Sequence, residues 1–159
     1  MLTITILAVG RLKDEWLQEA VREYTKRAGA YFKLSVEQIS GAKLPQKPSG
    51  AQISAALERE ADEILAKIPP RTWVAAMCVE GESLSSAQLA QKLERISAGA
   101  SHAVFVIGGS HGLSERVKAR ANLRLSMSAM TFSHRIARVM LCEQLYRAGS
   151  INAGGKYHK

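Results

Sequence analysis

The sequence predicts an α/β fold in which helices cover both faces of a mostly parallel sheet. Apolar runs alternate with amphipathic segments along the whole chain, a pattern typical of this fold class. One run, residues 103–107, is apolar throughout, as expected for a strand buried on both faces of a parallel sheet. A length of 159 residues predicts one domain, residues 1–159, with a sizeable core.

Five segments have the character of strands. The first, residues 2–9, places Leu2, Ile4 and Ile6 on one face, becomes wholly apolar, and ends at Gly10. The other predicted strands are residues 32–39, 72–79, 103–107 and 123–127.

Five helices are predicted between and after these strands. Asp14 and Glu15 suit the positive start of a helix over residues 14–28. A helix over 51–67 must end before Pro69, which cannot continue it, and Ser114 can cap a short helix that reaches about residue 121. The remaining predicted helices are residues 86–97 and 133–148.

The charge of the chain indicates a polyanionic partner. It has 22 Lys and Arg against 14 Asp and Glu, a formal charge of +8, and nucleic acid is the commonest partner for such a surplus. Residues 40–50 contain two prolines, two glycines and two lysines but no acid, which predicts a mobile basic loop. The alternative is a charged surface and a solvated loop with no partner. If the partner is RNA, Lys43 and Lys47 are candidate phosphate contacts, which position RNA without reading its sequence.

Several classes of protein fit the sequence poorly. Cys78 and Cys142 form no disulfide or metal pattern, so we expect a reducing cytoplasm. No leader peptide or membrane-spanning run is evident, so no membrane partner is expected. The histidines lack metal-ligand spacing and the serines lack a nucleophile elbow, so we expect no metal and favour cofactor-assisted group transfer over hydrolysis.

The glycines that follow the apolar run 103–107 predict a binding site. Gly108 and Gly109 let the backbone turn sharply, and ligands of open α/β sheets bind at the carboxyl ends of strands. Their spacing matches neither a dinucleotide-binding fingerprint nor a phosphate-binding loop. A tight turn without a ligand is the alternative. Small and apolar residues at 76–81 and 125–132 would meet the glycines at the same edge and suit an adenine ring with a polar tail.

The last helix is apolar on more than one side. A main stripe runs from Ala137 to Ala148, and Ile136, Val139 and Cys142 form a second patch beside it. Because a surface helix needs only one apolar face, this pattern favours a symmetric dimer over the alternative, a core helix within a monomer. Glu143 and Arg147 lie one turn apart on this helix, which predicts an ion pair.

Four motifs together carry a specific resemblance. They are residues 107–114 (IGGSHGLS), 125–134 (LSMSAMTFSH), 138–147 (RVMLCEQLYR) and 157–159 (YHK). With them, essentially the whole chain resembles the ribosomal RNA large subunit methyltransferase H family, small members of the SPOUT class of knotted methyltransferases.

This resemblance implies a fold, a reaction and partners. The fold would hold a deep trefoil knot at about residues 102–159, and two copies would form a homodimer. The reaction would be S-adenosylmethionine-dependent methylation of N3 of pseudouridine 1915, in helix 69 of 23S rRNA. The substrate would be the assembled 70S ribosome.

The resemblance also implies roles for individual residues, carried over by motif. Catalysis would involve His158 and Tyr157, either of which could accept the N3 proton or hold the ring. The substrate would be bound by His134, Arg138, Lys156 and Lys159. The cofactor would be bound by Met77, Gly108, Gly109, Met127, Ser128, Ala129, Met130, Thr131 and Phe132.

The sequence departs from the family pattern at three places, and two rival functions are considered beside the methyltransferase. Ser133 stands where relatives usually have proline, Cys78 where they often have aspartate, and residues 154–156 (GGK) alter the tail. One rival is a non-catalytic RNA- or ribosome-binding protein that retains the knotted fold. A second is a related enzyme acting on tRNA, which the absence of a separate RNA-binding domain disfavours.

Overall fold

A computed structural model describes residues 1–158, and its elements follow the predicted order. The strands are β1 (Thr3–Val9), β2 (Lys33–Ile39), β3 (Trp73–Ser83), β4 (His102–Ile107) and β5 (Leu123–Ser126). The helices are α1 (Glu15–Ala28), α2 (Gly50–Ala66), α3 (Ser86–Gly99), α4 (Glu115–Arg120) and α5 (His134–Asn152).

The sheet is parallel throughout, in the order β2-β1-β4-β3-β5. The prediction of a mostly parallel sheet with helices on both faces is thus confirmed. Alternation along β1 explains the two layers, because Ile4 and Ile6 face one hydrophobic cluster while Leu7 and Val9 face another. Helices α3 and α5 contribute to the first cluster, and α2 and α4 to the second.

Two elements, β3 and α5, each continue four residues beyond their predicted ends. Strand β3 continues from the predicted end at 79 to Ser83, because residues 82–83 pair again with β5 after an irregular stretch. Helix α5 continues to Asn152, where Asn152 Nδ2 donates a hydrogen bond to the Ala90 carbonyl of α3. Neither tertiary contact can be inferred from local sequence pattern.

Helix α5 packs between α1 and α3, which explains part of its broad apolar surface. Cys142 is fully buried, and the Thr25 hydroxyl of α1 lies 3.9 Å from its sulfur. On the other side, the Ser86 hydroxyl of α3 donates to Gln144 Oε1 at 2.6 Å. Ile136, in contrast, keeps 41% of its surface exposed. The chain itself therefore covers Cys142 but leaves the first turn of α5 uncovered.

The basic loop after β2 is anchored at its start. The amide of Ala42 donates to Glu60 Oε2 of α2 at 3.0 Å, while Lys47 lies exposed farther along.

No helix within residues 1–158 is both long enough and apolar enough to cross a membrane.

Candidate functional site

The glycine motif forms a tight turn at the carboxyl end of β4. The Gly112 amide donates to the Gly109 carbonyl at 3.1 Å, and Gly112 has a φ of +80°. A Cβ added to Gly108 would collide with the Gly112 carbonyl, whereas one added to Gly109 would meet only Val9, at 3.5 Å. Gly108 and Gly112 are therefore needed to make the turn, and Gly109 leaves space beside it.

A second wall comes from an irregularity in β3. Met77 and Glu82 both align with Leu125 of β5, so residues 78–81 stand out of register. A Cβ on Gly81 would lie 2.7 Å from the carbonyl carbon and oxygen of Arg124, so only glycine allows this approach.

The third wall is the segment between β5 and α5. The Ser126 hydroxyl donates to the Ser128 carbonyl at 2.9 Å, and the Ser128 hydroxyl accepts from the Met130 amide at 3.1 Å. Ser133 then accepts from the Arg135 amide at 3.2 Å and caps α5. The serine that replaces the family's proline thus begins the helix through a hydrogen bond.

These walls enclose a cavity of about 660 Å³, a size typical of small-molecule sites. Ala129, although predicted to bind the cofactor, is exposed and does not line it. The other predicted cofactor-binding residues all line it: Met77, Gly108, Gly109, Met127, Ser128, Met130, Thr131 and Phe132.

A second, more open cavity of about 910 Å³ lies at the opposite edge of the sheet. Its walls include Leu2, Tyr31 and Gly149, and among the described residues Glu94 is the only one that lines it with a charged side chain. It contains none of the predicted site residues and lies at the amino ends of the strands, away from the glycine turn. We therefore place the functional site in the smaller cavity.

His134 brings an unpartnered polar atom to the functional cavity. It lines the cavity from the first residue of α5, and its buried Nδ1 has no hydrogen-bond partner within residues 1–158. Burial lowers the pKa of His134, and the nearby Arg138 and Arg135 lower it further. The ring is therefore neutral at pH 7, able to offer one donor and one acceptor.

Arg138, predicted to bind substrate, occupies a different environment. Its side chain is fully buried, and Nη2 donates to the carbonyls of Val9 and Gly10 at 3.0 and 2.9 Å. Burial lowers its pKa, with a smaller contribution from Arg135. In this position Arg138 joins α5 to the end of β1 and does not reach solvent. Its side chain therefore has a structural role and is not available for the predicted direct contact with RNA.

The predicted catalytic tail lies away from the cavity. Arg147 donates to Glu143 Oε1 at 2.6 Å, confirming the predicted pair, and to the Tyr157 carbonyl at 3.0 Å. The Tyr157 ring lies 4.4 Å from that of Tyr146. Lys156 and His158 are exposed, and Lys159 lies outside the described residues.

The environment of Tyr157 bears on its proposed chemistry. Burial, followed by hydrogen bonding to Tyr24 and the charge of Glu143, raises the pKa of Tyr157 to about 12. The phenol is therefore protonated at neutral pH in this conformation and donates a hydrogen bond more readily than it accepts a proton.

One charged pair at the cavity is not predicted by the sequence. Lys118 Nζ lies 2.5 Å from Glu80 Oε1, and both residues line the cavity. They are separated by 38 positions, so no local spacing could have indicated the pair.

Within residues 1–158, no group of three or more His, Cys, Asp or Glu side chains is arranged to hold a metal ion.

Comparison with known proteins identifies relatives of the chain. The sequence model described as "Predicted SPOUT methyltransferase" matches residues 2–158. The chain is also similar to a solved structure described as a probable methylase family protein from Haemophilus influenzae Rd KW20. The TM-score is 0.57 at 14% identity, covering 100% of this chain and 72% of that one. At this identity the structural likeness concerns the fold.

Proposed function

The chain belongs to the SPOUT methyltransferase family, and on that premise we propose that it methylates N3 of pseudouridine 1915 in helix 69 of 23S rRNA. The proposed substrate is the assembled 70S ribosome. Family membership supports S-adenosylmethionine-dependent methyl transfer, since SPOUT methyltransferases generally use this cofactor. The resemblance of four motifs to the ribosomal RNA large subunit methyltransferase H family supports the choice of nucleotide.

The observation that carries the proposal is the cavity where three predicted segments meet. Its apolar wall includes Ile107, Leu113 and Leu125, which suit an adenine ring. The space beside Gly109 and the unpartnered Nδ1 of His134 suit a ligand with polar groups. The residues present therefore fit a nucleoside with a polar tail.

Positioning is the main task of this chain's residues. When bound, S-adenosylmethionine supplies an electrophilic methyl group on a sulfonium. The pocket walls hold the donor side while the RNA is aligned for in-line attack, which accounts for much of the catalysis. The N3 proton must leave as the new N–C bond forms. We propose His158 as its acceptor and the protonated Tyr157 as a donor that holds the ring.

The separation of pocket and tail supports a site shared between two copies. His134 lines the pocket, whereas Tyr157 packs against Tyr146, twelve positions farther along α5. At about 1.5 Å per residue these points are about 18 Å apart along the helix axis. We propose that the tail of one protomer completes the pocket of the other in a homodimer.

An uncovered apolar surface supports the same assembly. Trp16 is 65% exposed and Ile136 is 41% exposed, near the starts of α1 and α5. The Asp14–Arg135 ion pair, with a separation of 3.5 Å, joins these two helix starts. A partner that buried both side chains would remove this apolar area from water.

The knot is also part of the proposal. The chain leaves β5 at one edge of the sheet, lines the pocket with residues 127–128 and 130–133, and returns as α5 to bind the end of β1 through Arg138. This course past β3 and β4 supports the trefoil knot proposed for residues 102–159, an exception to the usual rule against threading.

Methyl transfer to candidate RNAs tests the activity. Labelled S-adenosylmethionine is supplied with 70S ribosomes that lack the modification, with free 23S rRNA and with tRNA. We expect label only on ribosomes, as N3-methylpseudouridine in helix 69. Label on tRNA alone would establish the tRNA-modifying alternative and refute the ribosomal assignment.

Mixing two inactive variants tests the shared site. Gly109→Val damages the pocket and His158→Ala damages the tail, so each homodimer should be inactive. A mixed dimer should hold one intact site, formed by the normal pocket of one protomer and the normal tail of the other. If native mass spectrometry shows that mixed dimers have formed but the mixture has no activity, each site must lie within one chain.

The rival function is a non-catalytic ribosome-binding protein. The position of Tyr157 against Tyr146, away from the cavity of its own chain, is the feature that favours it. Calorimetry separates the two proposals, since an enzyme must bind S-adenosylmethionine. Ribosome binding without cofactor binding would favour the rival.

A further inference from the structure

Glu80 is the only acidic residue among those that line the functional cavity. The other described lining residues with charged or titratable side chains are Cys78, Lys118, Arg135, His111 and His134. A lone carboxylate in such a setting is an acceptor for ligand groups that donate hydrogen bonds. Family motifs do not assign Glu80 a role.

The structure holds Glu80 at the cavity from two directions. Residue 80 belongs to the out-of-register stretch 78–81, which Gly81 allows to press against Arg124. Lys118 Nζ, on α4, binds Glu80 Oε1 at 2.5 Å and has only 14% of its side chain exposed. Glu80 is therefore fixed between β3 and α4.

The ion pair also determines what kind of donor Glu80 suits. Because Lys118 neutralises its charge, the pair offers little net attraction to a cationic ligand group. Lys118 binds Oε1, however, and Glu80 keeps 55% of its side chain exposed, so the carboxylate remains open to a ligand at Oε2. Its free lone pairs suit neutral donors such as vicinal hydroxyls, which carboxylates bind in other nucleotide sites.

We propose that Glu80 is a cofactor-binding residue whose Oε2 accepts hydrogen bonds from the ribose hydroxyls of the bound nucleoside. This inference rests on the proposed use of S-adenosylmethionine and assigns Glu80 a role in binding it.

Calorimetric binding of S-adenosylhomocysteine and its 2′,3′-dideoxy analogue tests the proposal. Glu80→Gln should bind S-adenosylhomocysteine about 10-fold more weakly than the wild type, because a charge-assisted hydrogen bond is lost. The dideoxy analogue should bind both proteins equally. Glu82→Gln, on the same strand but outside the cavity lining, is the matched control and should bind as the wild type does.

Other outcomes of the calorimetry would refute the inference, and they differ in what they imply for the proposed function. Unchanged S-adenosylhomocysteine binding by Glu80→Gln refutes it and leaves the proposed function standing, and so does equal weakening for both ligands. A wild type that binds neither ligand refutes the proposed function and this inference with it. Circular dichroism checks folding, and Glu80→Asp, which keeps the charge on a shorter side chain, should give intermediate affinity if Glu80→Gln unfolds.

Discussion

Two adjacent glycines at the end of β4 have different roles: Gly108 is needed for the fold, and Gly109 leaves space for a ligand. Gly108 has no room for a Cβ because the Gly112 carbonyl faces it. A Cβ on Gly109 would have only Val9 within 4 Å. Both glycines look alike in the sequence, since they are adjacent in one motif. Their different surroundings predict different consequences of substitution.

Gly109→Val should abolish cofactor binding while leaving the fold and the dimer intact, because its bulk enters the space beside the pocket wall. Calorimetry with S-adenosylmethionine and a melting curve measure the two effects. Gly108→Ala is the contrasting variant and should lower the melting temperature through its clash with Gly112. Tight binding by Gly109→Val would show that the pocket lies elsewhere.

His134 should make stability depend on pH. Burial holds its folded-state pKa below the ordinary value of 6.5, so the unfolded chain binds the proton first as the pH falls. The free energy of unfolding should therefore decrease below about pH 6.5 and level off once folded His134 is protonated.

Urea denaturation of the wild type and of His134→Gln at a series of pH values measures this contribution. The difference in the free energy of unfolding between the two proteins should shrink as the pH falls below about 6.5, the ordinary pKa of histidine. A constant difference across that range would contradict the lowered pKa.

At the scale of elements, the irregular stretch of β3 shapes the site. Its four residues 78–81 supply Cys78 and Glu80 to the cavity, and the strand resumes pairing with β5 afterwards. The sequence predicts a strand that stops at 79, because the polar residues that follow break its apolar pattern. Pairing with β5 extends it, an example of tertiary contact overriding local preference.

Gly81→Ala should destabilise the protein by about 1–3 kcal/mol, since its Cβ would lie 2.7 Å from backbone atoms of Arg124. Thermal denaturation measures the effect. Gly99→Ala is the matched control, because nothing lies within 4 Å of a Cβ there and alanine favours a helix. Equal melting temperatures for the two variants would show that β3 can move away from β5 without cost.

At the scale of the whole molecule, the positive charge is the feature most relevant to RNA. The sheet places Lys43 and Lys47 after the carboxyl end of β2, the edge that also holds the pocket, whereas Lys33 begins the same strand at the opposite edge. Charge at the pocket edge would bring the RNA backbone close to the site.

The double variant Lys43→Ala/Lys47→Ala should bind ribosomes more weakly and with a shallower dependence on salt, because fewer counterions are released. Filter binding at several salt concentrations measures both quantities. Lys33→Ala should leave them unchanged. Equal losses from the double variant and from Lys33→Ala would indicate an unspecific effect of net charge.

The sequence alone determined the α/β class, the order of all ten elements and the glycine turn, because apolar periodicity and glycine chemistry are local properties. It also predicted the Glu143–Arg147 pair, which spans one helical turn. Only the tertiary structure decided that Arg138 is buried against β1, that Lys118 meets Glu80 across 38 positions, and that Tyr157 lies far along α5 from the pocket. Each depends on which distant segments pack together, and helical or strand spacing carries no information about such contacts.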